Sequence, residues 1–111
     1  MVERSEVLDR VFSALADPTR REIVRRLSAG EESISDLARP FDMSLAAVSK
    51  HVRILQSAGI VHQRKEGRVR VCGLSAQPLE TADTWLRQYE RFWEQRLDGL
   101  GAYLQARREQ P

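Results

Sequence analysis

The sequence holds a single cysteine, Cys72, so no internal disulfide is available to it. No apolar run approaches the ~20 residues that span a bilayer, and the opening MVERSE has no apolar stretch like that of a secretion signal. These absences predict a cytoplasmic protein with no membrane partner. Histidine is nearly as scarce as cysteine, with only His51 and His62. A zinc or arsenic site needs three or four converging sulfur or imidazole donors, and Cys72, His51 and His62 do not supply one. No metal and no cofactor is therefore expected. A glycine-rich phosphate loop, a nucleophile beside a base and a purposeful carboxylate pair are also missing, so nothing points to an enzyme. Acid is scarce in one region. Between Lys50 and Arg70, Glu66 is the one acid against Lys50, Arg53, Arg64, Lys65, Arg68 and Arg70. From Leu79 onward five arginines meet six acids, and the whole chain carries only +2. Positive charge is thus gathered in a central block, which suits a polyanion. A solvated charged hairpin is the alternative.

The 111 residues suffice for one domain, 1–111, with one modest core. Val7, Leu8, Val11, Phe12 and Leu15 form the apolar stripe of a first helix, about 5–16. Asp17 and Pro18 suit an N-cap and a first helical residue. They open the core segment 18–58 with a second helix that runs through Ile23, Val24 and Leu27 to Gly30. Its Arg20, Arg21, Arg25 and Arg26 read as a solvated face, with phosphate contact as the alternative. Ser33 and Ile34 make an extended stub. Ser35 is expected to cap a short third helix that Pro40 ends, with Phe41 and Met43 in the core.

The central element runs from Ser44, an N-cap, to Gly59, a left-handed stop. Leu45, Val48, Val52 and Leu55 recur at three and four and predict one buried stripe. The opposite face carries Ala46, Ala47, Lys50 and Arg53, flanked by Ser49 and His51. Small residues followed by cations suit close approach to base edges and phosphates. His51 either joins that face or packs against the preceding helix. A short helix, a tight connection and this helix make a helix-turn-helix.

After Gly59 the period becomes two. Residues 60–74 predict a hairpin turning at Glu66 and Gly67. Arg64, Lys65, Arg68 and Arg70 would lie along phosphates beside the groove, which makes the hairpin a wing. A long last helix is expected over 78–106, weakened near Gly99 and Gly101. Leu79, Ala82, Leu86, Tyr89, Trp93, Leu97 and Leu100 form its stripe, with Leu8 and Phe12 of the first helix beside it. So long an apolar helix predicts a partner helix from a second chain. The alternative is that it folds back over the first helix. The expected fold class is mainly α with a small β-hairpin wing, a winged helix-turn-helix dimerised through its first and last helices.

FSALADPTRREIVRRL (12–27), ISDLA (34–38), AVSKHVRIL (47–55) and AGIV (58–61) resemble the arsenic-repressor (ArsR) family of bacterial transcription regulators. The resemblance spans about Val7 to Tyr103. It implies a homodimeric repressor of its own operon, with a recognition helix at 44–57, a wing at 60–74 and an inverted-repeat operator in double-stranded DNA. Ser44, Ala46, Ala47, Ser49, Lys50, His51 and Arg53 are the expected contacts on the helix. Metal-sensing members carry a cysteine pair on the short helix, where this chain has ISDLAR, or histidines on the last helix, where it has none. WLRQYERFW (85–93) is similar to a metal-independent branch, whose small-molecule effector is not specified by these residues. The competing readings are a protein-interaction module without specific DNA binding, and a metal-responsive repressor or one responding to redox state through Cys72.

Overall fold

The computed structural model describes residues 2–109 as α1 (Val2–Leu15), α2 (Pro18–Ala29), β1 (Glu32–Ser33), α3 (Ile34–Ala38), α4 (Leu45–Ser57), β2 (Val61–Glu66), β3 (Val69–Leu74), α5 (Ala76–Arg87) and α6 (Glu90–Glu109). Three helices start on a side-chain acceptor. Asp17 accepts from the Arg20 amide at 3.0 Å, Ser33 from the Asp36 amide at 3.1 Å, and Ser44 from the Ala47 amide at 3.1 Å. Each satisfies an amide that the first helical turn leaves without a partner. The cap of α3 is Ser33, not the expected Ser35, because the preceding strand already ends at Ser33.

At its far end α4 closes in a Schellman arrangement. Gly59 N–H donates to Gln56 O at 2.9 Å and Ile60 N–H to Leu55 O at 3.0 Å, with Gly59 at φ +77°. The chain then enters a three-stranded antiparallel sheet of order β1-β3-β2, in which the expected stub pairs Glu32 with Cys72 and Ser33 with Val71. Glu66 pairs with Val69 across the hairpin, so the turn residues are Gly67 and Arg68, one position later than expected. Gly67 has φ +62° and, among the described residues, no non-glycine residue has positive φ, the pattern of a II′ turn.

Val11, Ile23, Leu37, Val48, Val52, Leu55, Ile60 and Cys72 form the innermost core. Truncating Ile23, Leu37, Leu55 or Ile60 to alanine costs about 2–5 kcal/mol. Val48, Val52 and Leu55 are the buried stripe of α4, but Leu45, expected with them, is 52% exposed. The first turn of α4 projects beyond the core and leaves Leu45 beside β3. Met43 is exposed and Phe41 only half-buried, because the 41–43 connection runs over the surface.

The expected last helix is two helices. The chain tightens at Gln88 and Tyr89, where Tyr89 N–H donates to Leu86 O at 3.0 Å, and α6 restarts from Tyr89 O. Neither proline nor glycine marks the break. It coincides with an aromatic cluster in which Trp85 lies edge-on to Phe12 and to Tyr89, with ring centroids 5.6 and 5.3 Å apart. The helix continues through Gly99 and Gly101 to Glu109. Of the expected pairing stripe, Leu8, Leu79 and Ala82 pack inside the protomer, between α1 and α5. Phe12, Leu86, Tyr89, Trp93, Leu97 and Leu100 are exposed. The alternatives thus divide by segment, with α5 folded back over α1 and α6 standing off with no buried residue. The molecule accordingly measures 68 × 38 × 20 Å. No helix among the described residues is long and apolar enough to cross a membrane.

Candidate nucleic-acid interface

The candidate interface takes in α4 and the β2–β3 hairpin. On α4, Ser44, Ala46, Lys50 and Arg53 are exposed, and Ala47 and Ser49 are half-buried at the edges of the same face. The Ser44 hydroxyl is occupied as the cap, accepting from the Ala47 amide. On the hairpin, Lys65, Arg68 and Arg70 are exposed. Among the described residues Lys50, Arg53, Lys65, Arg68 and Arg70 take part in no ion pair. Arg64 differs. It bonds to the Glu31 carboxylate and lies 3.4 Å from that of Glu66, so its charge is already matched.

Two clefts separate helix from hairpin. One, of about 420 Å³, is lined by Arg53, Gln56, Gln63, Arg64, Lys65 and Arg70. Across it Gln63 Nε2 donates to Gln56 Oε1 at 2.9 Å, which ties the wing to the C-terminal half of α4. Neither glutamine carried a signal in the sequence. The other cleft, of about 330 Å³, lies between the start of α4, α3 and the hairpin tip, and Arg70 lines both.

His51 sits apart from this face. Arg20 donates from a terminal guanidinium nitrogen to His51 Nδ1 at 3.2 Å, and Asp17 is 4.0 Å away. Arginine can only donate, so Nδ1 accepts and the ring proton is on Nε2. The Arg20 side chain is only 14% exposed and also donates to Ala14 O at 2.6 Å and Ser13 O at 3.3 Å. Arg21 donates to Leu15 O at 2.9 Å. Two arginines in the first turn of α2 therefore satisfy the open carbonyls at the end of α1 and oppose its negative dipole end. Arg26 does likewise for α3, donating to Leu37 O at 2.9 Å and pairing with Glu32. The expected solvated face of α2 is in these positions a set of clamps. Arg25, paired with Glu22 on the surface, and the exposed Arg21 fit the expectation of a solvated face; Arg20 and Arg26 do not.

Cys72 is fully buried, and burial pushes its thiol pKa above the usual range. His62 lies exposed on the outer face of the sheet, against Gly73. Among the described residues no group of three or more His, Cys, Asp or Glu side chains is placed to hold a metal ion.

A helix-turn-helix domain family matches residues 15–64, which run from the end of α1 through α4 into the wing. The HTH-type transcriptional regulator Rv2034 of Mycobacterium tuberculosis is 42% identical over 91 residues, covering 82% of this chain and 82% of its own. The transcriptional repressor SdpR of Bacillus subtilis is 29% identical, covering 74% of this chain and 91% of its own. Among solved structures, the ArsR family transcriptional regulator RHA00566 superposes with a TM-score of 0.75 at 42% identity, over 81% of this chain and 93% of that one. The homodimeric winged helix-turn-helix DNA-binding domain Mb0332 of Mycobacterium bovis gives a TM-score of 0.62 at 26% identity, over 78% of this chain and 82% of that one.

Proposed function

The chain belongs to the ArsR family of winged helix-turn-helix transcriptional regulators, and from that premise we propose that it is a cytoplasmic, homodimeric repressor of its own operon that responds to no metal. The observation that carries the reading is the row of unmatched cations, Lys50 and Arg53 on α4 and Lys65, Arg68 and Arg70 on the wing. Two copies of α4 related by a two-fold axis would enter successive major grooves ~34 Å apart and read an inverted repeat. Ala46 and Ala47 let the helix approach closely, Lys50 and Ser49 reach base edges, and Ser44 with the helix start meets a phosphate. Arg53, Lys65, Arg68 and Arg70 lie along the backbone. Arg64 contributes after exchanging its acidic partners for phosphate, and His51 contributes indirectly, by holding α4 to Arg20. A second copy is supported by the bare α6 and by the homodimeric neighbour Mb0332. Metal independence is supported by the donor set, since Cys72 is buried and His51 is held by Arg20.

The test is fluorescence anisotropy on DNA from immediately upstream of the gene, with random duplex as control, across a salt series. The expected result is a preference for upstream DNA of ~10³-fold or more, with two chains per site. Lys50→Ala should cost ~1–3 kcal/mol on that DNA alone. Arg68→Ala should weaken both duplexes about equally and lower the salt slope. Binding of neither duplex would instead favour a protein-interaction module.

A further inference from the structure

The 420 Å³ cleft between α4 and the wing gathers charge of one sign. Arg53 lines it from the helix, and Lys65 and Arg70 line it from the hairpin. No acid lines it, and none of these three cations is in an ion pair among the described residues. Without a polyanion in place they repel one another, the more so at low salt, and the repulsion acts to swing the hairpin off the helix. The hairpin has little burial to resist it. Val61 and Cys72 are anchored in the core, but every residue from Arg64 to Arg70 is exposed. Half-buried Gln63 stands where the anchored part of β2 ends. Its bond to Gln56 is the one hydrogen bond between α4 and the two wing strands among the described residues. The tie is made of two neutral amides. A carboxylate there would bond the neighbouring cations more strongly, but it would also match the charge that faces DNA.

We propose that Gln56 and Gln63 are a positioning pair. They hold the wing to the recognition helix against the mutual repulsion of Arg53, Lys65 and Arg70, so the free protein presents both elements already spaced for one duplex. The inference rests on the DNA-binding reading above. Ordering a surface before it binds raises affinity by lowering what binding must still order. Neither glutamine touches DNA in this role. Losing the pair weakens binding to every sequence while the number of phosphate contacts stays the same.

A double-mutant cycle tests it, with Gln56→Ala, Gln63→Ala and the pair measured on random duplex across a salt series, and amide relaxation measured on the free proteins. Each single variant is expected to bind about two- to tenfold more weakly, the worth of one such hydrogen bond. The pair should be no more than about 1.5-fold weaker than the worse single, because both remove the same tie. The salt slope should stay within about 0.3 of wild type, since no phosphate contact is lost. Gln56→Glu together with Gln63→Arg leaves the net charge unchanged and remakes a tie, so affinity should return to within about twofold of wild type. In the free single variants the order parameters of residues 64–70 should fall below about 0.6, further at low salt than at high, while those of α4 stay near 0.85 or about that. Additive losses would mean that each glutamine contacts DNA by itself. Unchanged order parameters would mean that the hairpin is held without them. Either result overturns the positioning pair and leaves the DNA reading intact. If wild type binds no duplex, the DNA reading fails and the order parameters decide alone. Loosening of 64–70 in either variant then keeps the pair as what holds the wing, and none removes it.

Discussion

Asp17 does two jobs with one carboxylate. It caps α2 through the Arg20 amide and sits beside the Arg20–His51 contact that holds α4 in place. The Arg20 amide is the largest influence holding its carboxyl below the usual 3.8; burial opposes it, and the Arg20 guanidinium adds to it. A depressed carboxyl contributes stability that is full above its unfolded pKa and is lost as pH falls through its folded one. Asp17→Ala is therefore expected to lose about 1 kcal/mol in urea unfolding at neutral pH. The difference from wild type should shrink below pH 4, and a constant difference down to pH 2 would contradict the linkage. Arg20 shows why such a residue is hard to read beforehand. On a helical wheel it belongs to the outer face of α2, yet its partners, Ala14 O and His51, come from a helix before and a helix after.

At the scale of elements, what was legible followed from local chemistry. The caps at Asp17 and Ser44, the stop at Gly59 and the alternation of the wing each depend on residues a few positions apart. What was not legible depended on packing. Ser33 overtook Ser35 because a strand pairing ended there. The α5–α6 break lies among aromatic contacts with α1, and no breaker residue announces it. The acid-poor face of α4 was visible, but the matching of Arg64 by Glu31, 33 positions earlier, was not. The wing's geometry turns on Gly67, whose φ of +62° suits glycine, and open space surrounds it. Gly67→Ala is thus expected to cost about 1–2 kcal/mol from backbone conformation alone. Its DNA affinity should fall with little change in sequence preference. An altered preference would mean that the hairpin tip reads bases rather than backbone.

For the whole molecule, the deciding feature is how much apolar surface one copy leaves open. Phe12 of α1, Leu86 of α5, Trp93, Leu97 and Leu100 of α6 and Tyr89 between the last two helices are all exposed in the protomer. So many large apolar side chains left exposed on neighbouring helices point to an interface. Trp93→Glu is expected to convert a dimer to a monomer in sedimentation velocity and to reduce operator affinity by 10²-fold or more, since each half-site then binds alone. An unchanged mass would place the pairing surface elsewhere. In α6, meanwhile, no side chain is buried in its own protomer, and helices in proteins draw most of their stability from packing an apolar face. On the dimeric reading the partner completes it, so folding and association are one equilibrium governed by protein concentration. When scarce, the regulator would expose a frayed C-terminal segment to proteases. When abundant, it would shield that segment and persist. A repressor of its own operon built this way carries its abundance threshold in a helix.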